Sequence, residues 1–126
     1  MRARTIIMNN VNDKILYYVY ILECTNNILY TGVTTDYKRR FAEHSGLDGS
    51  KKGAKFTKGH KPLRYVALWK TATRSDAQKL EARIKQLDKS DKETLIANNR
   101  YFKTYFKELL DVENYNKVKL SNLKYK

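Results

Sequence analysis

The chain has 126 residues, with 26 Lys or Arg against 13 Asp or Glu, giving a net charge of +13 at pH 7. That length suits one domain with a real core and is too short for two ordinary ones. The charge favours a polyanionic partner over its bland alternative, a solubilising surface, and the ten Tyr and four Phe spread among the lysines favour nucleic acid over an anionic membrane, because aromatic rings stack on bases.

Residues 1–16 read as an N-terminal extension, with Met8 as an alternative start; three apolar residues in a row, Ile6 to Met8, are too few for a secretory signal. Tyr17 to Cys24 is rich in aromatic and β-branched residues and predicts a strand. Thr25-Asn26-Asn27 is turn chemistry and Ile28 to Val33 a second strand, so the two form a hairpin carrying Tyr20 on one arm and Tyr30 on the other. Asp36 can cap a helix to about His44, on which Tyr37, Arg40, Phe41 and His44 share one face. Ser45 to Pro62 is a glycine-rich loop, and Leu63 to Trp69 a third strand.

Ser75-Asp76-Ala77-Gln78 has a capping-box pattern and predicts a helix to about Asp88 with an apolar stripe of Ala77, Leu80, Ile84 and Leu87. Ser90 to Glu93 repeats the pattern and opens a further helix. Tyr101, Phe102, Tyr105, Phe106, Leu109 and Leu110 then form a stripe fit to pack on the domain, and the last ten or so residues, polar and basic, are expected to be loosely held. The expected fold is a small α+β domain over residues 17–96, three antiparallel strands flanked by helices, followed by a C-terminal helix and basic tail over 97–126. Cys24 is the sole cysteine, so no internal disulfide can form and a reducing, cytoplasmic location is expected. No stretch approaches the ~20 apolar residues of a bilayer span.

Five residues can carry chemistry. Glu81 lies at the edge of its helix's apolar stripe, where a carboxylate can still reach water and a hard cation; its bland alternative is an i,i+4 pair with Lys85. Arg40 and His44 stand one helical turn apart: the guanidinium can grip a phosphate, the imidazole can move a proton, and a snorkelling Arg beside a partly buried His is the plainer account. Tyr20 and Tyr30 are ordinary packing residues unless nearby positive charge lowers their pKa. From Lys51 to Arg64 there are six basic residues and no acid, namely Lys51, Lys52, Lys55, Lys58, Lys61 and Arg64; with Lys85 they make a candidate phosphate-contacting surface. Metal-binding Cys/His clusters, a P-loop and a dinucleotide-binding glycine pattern are all missing from the sequence.

Taken together, Tyr18-Val19-Tyr20-Ile21-Leu22, Leu29-Tyr30-Thr31-Gly32-Val33, Arg40, His44 and Glu81 resemble the GIY-YIG endonuclease superfamily, and its small single-domain bacterial members in particular. Lys52 to Thr57 and Ser75 to Lys85 are similar to that subgroup too. The usual Gly-Ile-Tyr stands here as Tyr18-Val19-Tyr20 and the usual Tyr-Ile-Gly as Tyr30-Thr31-Gly32. The resemblance implies hydrolysis of a DNA strand with one divalent ion, Mg²⁺ or Mn²⁺, held by Glu81, and no small-molecule cofactor. It implies Tyr20 as general base, Tyr30 orienting water or phosphate, Arg40 stabilising charge on the phosphate and His44 assisting; the two Tyr roles are interchangeable at this level. Some members carry a late active-site Asn, for which Asn98 and Asn99 are the candidates. DNA that is single-stranded or branched is the expected substrate, with RNA as a second polyanion. The rival readings are a nucleic-acid-binding protein without turnover and a peripheral membrane-surface protein.

Overall fold

In the computed structural model, the structure describes residues 14–46, 59–121 and 123–126. Most of the N-terminal extension, Met8 included, and Lys51, Lys52, Lys55 and Lys58 lie outside the described residues. The elements are β1 (Tyr17–Cys24), β2 (Ile28–Thr34), α1 (Tyr37–Ser45), β3 (Pro62–Thr71), α2 (Arg74–Gln86), α3 (Lys89–Ala97), α4 (Tyr101–Phe106) and a short β4 (Asn116–Lys117). They form an antiparallel sheet ordered β2-β1-β3-β4.

The sheet has four strands among the described residues, where three were expected. The addition is only two residues long: after α4 the chain returns along β3, pairing Lys117 with Trp69 and Asn116 with Lys70. Two clusters line the two faces. Val19, Ile21, Ala67 and Trp69 pack with Ala77, Leu80 and Ile84 of α2 and with Leu95, Phe102 and Phe106. Tyr20, Leu22, Tyr65 and Leu68 pack with Phe41 of α1. Tyr65 and Leu68 share a face despite being three residues apart because the β1–β3 register skips Val66. That bulge restores the alternation needed to bury both.

Asp36 caps α1 as expected, accepting from Arg39 N. The other two caps fall two residues earlier than the sequence pattern placed them. Thr73 accepts from Asp76 N, and Asp88 accepts from Asp91 N. Both caps sit in extended backbone, and each bonds the third residue of the turn it opens. Ser75 and Ser90 therefore stand inside the helices.

The C-terminal region differs more. The aromatic stripe does not make one long helix: α4 stops at Phe106, and Leu109 is 50% exposed. The tail is not loose either. Val118, Leu120, Leu123 and Tyr125 pack against the Tyr20–Tyr65 cluster, Val118 N donates to Leu68 O at 2.8 Å, and Tyr65 N donates to Tyr125 Oη at 2.8 Å. The tail thus covers the outer edge of β3, satisfying backbone groups that a bare edge would leave open. Four apolar side chains scattered among lysines are enough to hold it.

Candidate active site

Tyr20 leaves β1 opposite Gly32 of β2, and its ring lies over that glycine. A Cβ at position 32 would sit 2.4 Å from the Tyr20 hydroxyl oxygen and 2.5 Å from Cζ. Gly32 therefore creates the space in which the phenol rests. Two residues along β2, Tyr30 faces the same side, with its ring 6.3 Å from that of Tyr20 and 5.4 Å from His44.

Helix α1 brings Arg40 and His44 onto this surface. Arg40 Nε donates to the Tyr20 oxygen at 3.3 Å, and the same oxygen is 3.0 Å from His44 Nε2. With its oxygen already accepting from Arg40, Tyr20 is arranged to donate its own proton to His44 Nε2. Arg40 also donates through Nη1 to Glu43 Oε1 at 3.0 Å. Glu43 is buried and additionally 3.8 Å from Arg39 Nε.

Burial sets the protonation states. It pushes Tyr20 up to about 12 even though Arg40 pulls the other way. It also raises Tyr30, against the lowering influence of Lys85 and Arg40. The positive surroundings that the sequence led us to expect are present, but desolvation outweighs them. Burial, reinforced by Arg40, lowers His44 to about 4, so the imidazole is neutral near pH 7. Burial opposes the charge on Arg40, but its bonds to Tyr20 and Glu43 outweigh that penalty and hold it above the usual value.

Glu81 arrives from α2, which packs on β1 and β2. Its negative charge reaches both phenols, raising Tyr20 and Tyr30 alike. The carboxylate is 26% exposed and 3.3 Å from Lys85 Nζ. The structure thus brings Tyr20, Tyr30, Arg40, His44 and Glu81 into one neighbourhood, with Lys85 beside them. Among the described residues no group of three or more His, Cys, Asp or Glu is arranged to hold a metal. Glu81 could hold a hard cation that takes most of its remaining ligands from water and phosphate, since one hard oxygen donor open to solvent suits Mg²⁺ or Mn²⁺.

Other candidates lie elsewhere. Arg64 pairs with Glu23 at 2.6 Å and lines a groove beside the C-terminal tail. Lys61 is exposed, and its backbone N donates to Thr25 Oγ1. Asn99 accepts from Trp69 Nε1 at 2.8 Å, and Asn98 accepts from Arg100 N, so both amides serve the fold. The sequence reading missed Glu43; its i+3 spacing from Arg40 was the available signal, hidden by the usual exposure of helical carboxylates. Tyr65 was missed as well: its ring is 5.3 Å from that of Tyr20, and its hydroxyl donates to Tyr37 O.

Residues 16–94 match the family model described as the GIY-YIG catalytic domain. The chain belongs to the GIY-YIG family. Its relatives include a UPF0213 protein of Cupriavidus necator, 47% identical over 81 residues, which span 64% of this chain and 84% of that one. A UPF0213 protein of Fusobacterium nucleatum is 37% identical over 107 residues, 85% of this chain and 97% of the relative. The solution NMR structure of a UPF0213 protein from Bacillus halodurans is 43% identical, covering 65% of this chain and 83% of that one, with a TM-score of 0.42. Among the described residues no helix is long and apolar enough to cross a membrane.

Proposed function

We propose that this protein is a metal-dependent endonuclease hydrolysing DNA phosphodiester bonds, with single-stranded or branched DNA as substrate, in repair, recombination or processing. The observation that carries the reading is convergence. Two strands and two helices deliver two phenols, a guanidinium, a neutral imidazole and a carboxylate to one neighbourhood, in a chain of net charge +13.

Arg40 is half-buried and already oriented by Tyr20 and Glu43, so it meets the phosphate without reorganising and stabilises the charge that gathers on it. Neutral His44 accepts the Tyr20 proton and fixes that phenol. Phosphate bound at Arg40 would offset the positive charge that lowers His44, making the imidazole a better proton acceptor once substrate is in place. Burial favours Tyr30, the partly exposed phenol, for the water-facing role that the family resemblance gives first to Tyr20. Glu81 is the residue that would hold the divalent ion; the chemistry supplied by bound Mg²⁺ or Mn²⁺ is Lewis-acid polarisation of the phosphoryl group and neutralisation of the leaving oxygen.

The ion pair between Glu81 and Lys85 favours the rival reading, a nucleic-acid-binding protein without turnover, because it engages one carboxylate oxygen. One assay separates the two. Labelled single-stranded, duplex and flapped DNA are incubated with the protein and Mg²⁺, Mn²⁺ or chelator. The nuclease reading expects metal-dependent nicks that Glu81→Ala abolishes with little change in affinity; identical behaviour of wild type and Glu81→Ala leaves only binding.

A further inference from the structure

A second cleft adjoins the phenol cluster. It has a volume of about 400 Å³ and includes Tyr17, Thr35, Arg39, Arg40, Glu43 and Arg74 in its lining. Three guanidiniums face one carboxylate, so the lining is net positive. The carboxylate of Glu43 is shared between Arg39 and Arg40 and orients both. Arg74, the first residue of α2, places its guanidinium 5.0 Å from the centre of the Tyr17 ring. Arg74 is exposed and Arg39 is 59% exposed, so both can turn to a ligand.

We propose that this cleft binds a second backbone phosphate of the nucleic-acid strand, next to the one held at the phenol cluster. The inference rests on the nuclease reading above and deepens it. Three observations carry it. Arginine forks match phosphate oxygens in geometry as well as in charge. The volume lies within the range that accommodates a nucleotide-sized group. Arg40 belongs to both places: it lines the cleft while its Nε bonds the Tyr20 hydroxyl, so a strand crossing the phenols continues into the cleft. The Tyr17 ring carries the Arg74 guanidinium on its face and so holds that charge at the cleft. The cleft would thereby fix the direction in which the strand enters.

The test measures binding of a labelled single-stranded oligonucleotide in chelator, so that no turnover intervenes. Arg39→Gln/Arg74→Gln keeps the stems and removes the charges at two exposed positions; circular dichroism checks that it folds. The expected result is binding weaker by about tenfold. The slope of log affinity against log salt should fall by about 0.7, the value for one fewer phosphate neutralised on a single strand. A scan with one uncharged methylphosphonate linkage moved along the strand should find a sensitive position in wild type that vanishes in the double variant. Equal affinity and slope for both proteins, while Glu81→Ala still abolishes nicking, would overturn the cleft and spare the nuclease reading. Failure of the wild type to bind any oligonucleotide would remove both. Inorganic phosphate bound by the wild type but not by the double variant, with no position dependence along the strand, would assign the cleft to free anions and overturn the proposal.

Discussion

The hydroxyl of Tyr20 lies 3.0 Å from Nε2 of His44, and both side chains are buried. The burial of His44 beside the Arg40 charge has a consequence for stability. His44 is held down to about 4 in the folded state, against an ordinary 6.5. Between those values the unfolded chain takes up a proton that the folded chain refuses, so stability rises with pH across that window and falls as pH drops from 6.5 towards 4. Solvent screening keeps the gain below the roughly 3 kcal/mol that the full shift would carry. Chemical denaturation of wild type and His44→Asn at pH 7.5, 5.5 and 4.5 checks it: the wild type should lose more stability on acidification than the variant. Parallel pH profiles would show that His44 is not kept neutral.

Gly32 makes a sharper structural prediction. Gly32→Ala introduces a methyl 2.4 Å from the Tyr20 oxygen and 2.5 Å from Cζ, with the ring fixed between β2, His44 and Tyr65. Overpacking of this kind costs about 1–3 kcal/mol. Removing the hydroxyl alone should not relieve it, because Cζ remains too close. Thermal melts should place Gly32→Ala below wild type and Gly32→Ala/Tyr20→Phe below Tyr20→Phe; equal melting of the double variant and Tyr20→Phe would show that the clash is with the oxygen only.

Much of the frame behind these effects is legible in the sequence. The density of aromatic and β-branched residues in Tyr17–Cys24 specifies β1, and Asp36 specifies the start of α1 because its side chain meets a backbone N–H three residues on. Local signals of that kind survive folding. The cap positions at Thr73 and Asp88 were obscured because Ser75 and Ser90 offer competing patterns of the same chemistry two residues later. The burial of Glu43 and the seating of the tail depend on contacts distant in sequence. Tyr125 meets Tyr65 across sixty residues, and no periodicity in a lysine-rich tail announces it. Within the site, Arg40 and His44 share a helical face by spacing alone, but the approach of Glu81 to the phenols depends on how α2 crosses the hairpin.

The tail can be tested directly. Tyr125 accepts the Tyr65 N–H, and its ring lies 4.9 Å from Tyr65 and 4.8 Å from Phe41. Tyr125→Phe keeps the packing and deprives that N–H of its acceptor, a loss of about 1 kcal/mol. Truncation after Leu120 removes Leu123 and Tyr125 as well and should cost roughly 3 kcal/mol, in the range of large-to-small core changes. Denaturant midpoints measure both. Since Tyr65 packs on Tyr20, the truncation should also slow nicking. A truncated protein as stable and active as the full chain would show that the tail only rests on the surface.

The two tyrosines are the last test, because burial assigns them different work. Tyr20 is wholly enclosed, and its hydroxyl is committed to His44 and Arg40, so Tyr20→Phe should destabilise the fold by about 1–3 kcal/mol through the partners it leaves unmet. Tyr30 is partly exposed and shares its surroundings with Glu81, Lys85 and Arg40, the last of which also hydrogen-bonds its hydroxyl. Tyr30→Phe should cost stability little, within ~0.5 kcal/mol, while lowering the nicking rate by about a hundredfold or more, the usual contribution of a positioned proton-transfer group. Single-turnover nicking and denaturant melts of the same two variants separate the roles. A stable, inactive Tyr20→Phe beside an active Tyr30→Phe would return the water-facing role to Tyr20, and would require the enclosed phenol to open when the strand binds.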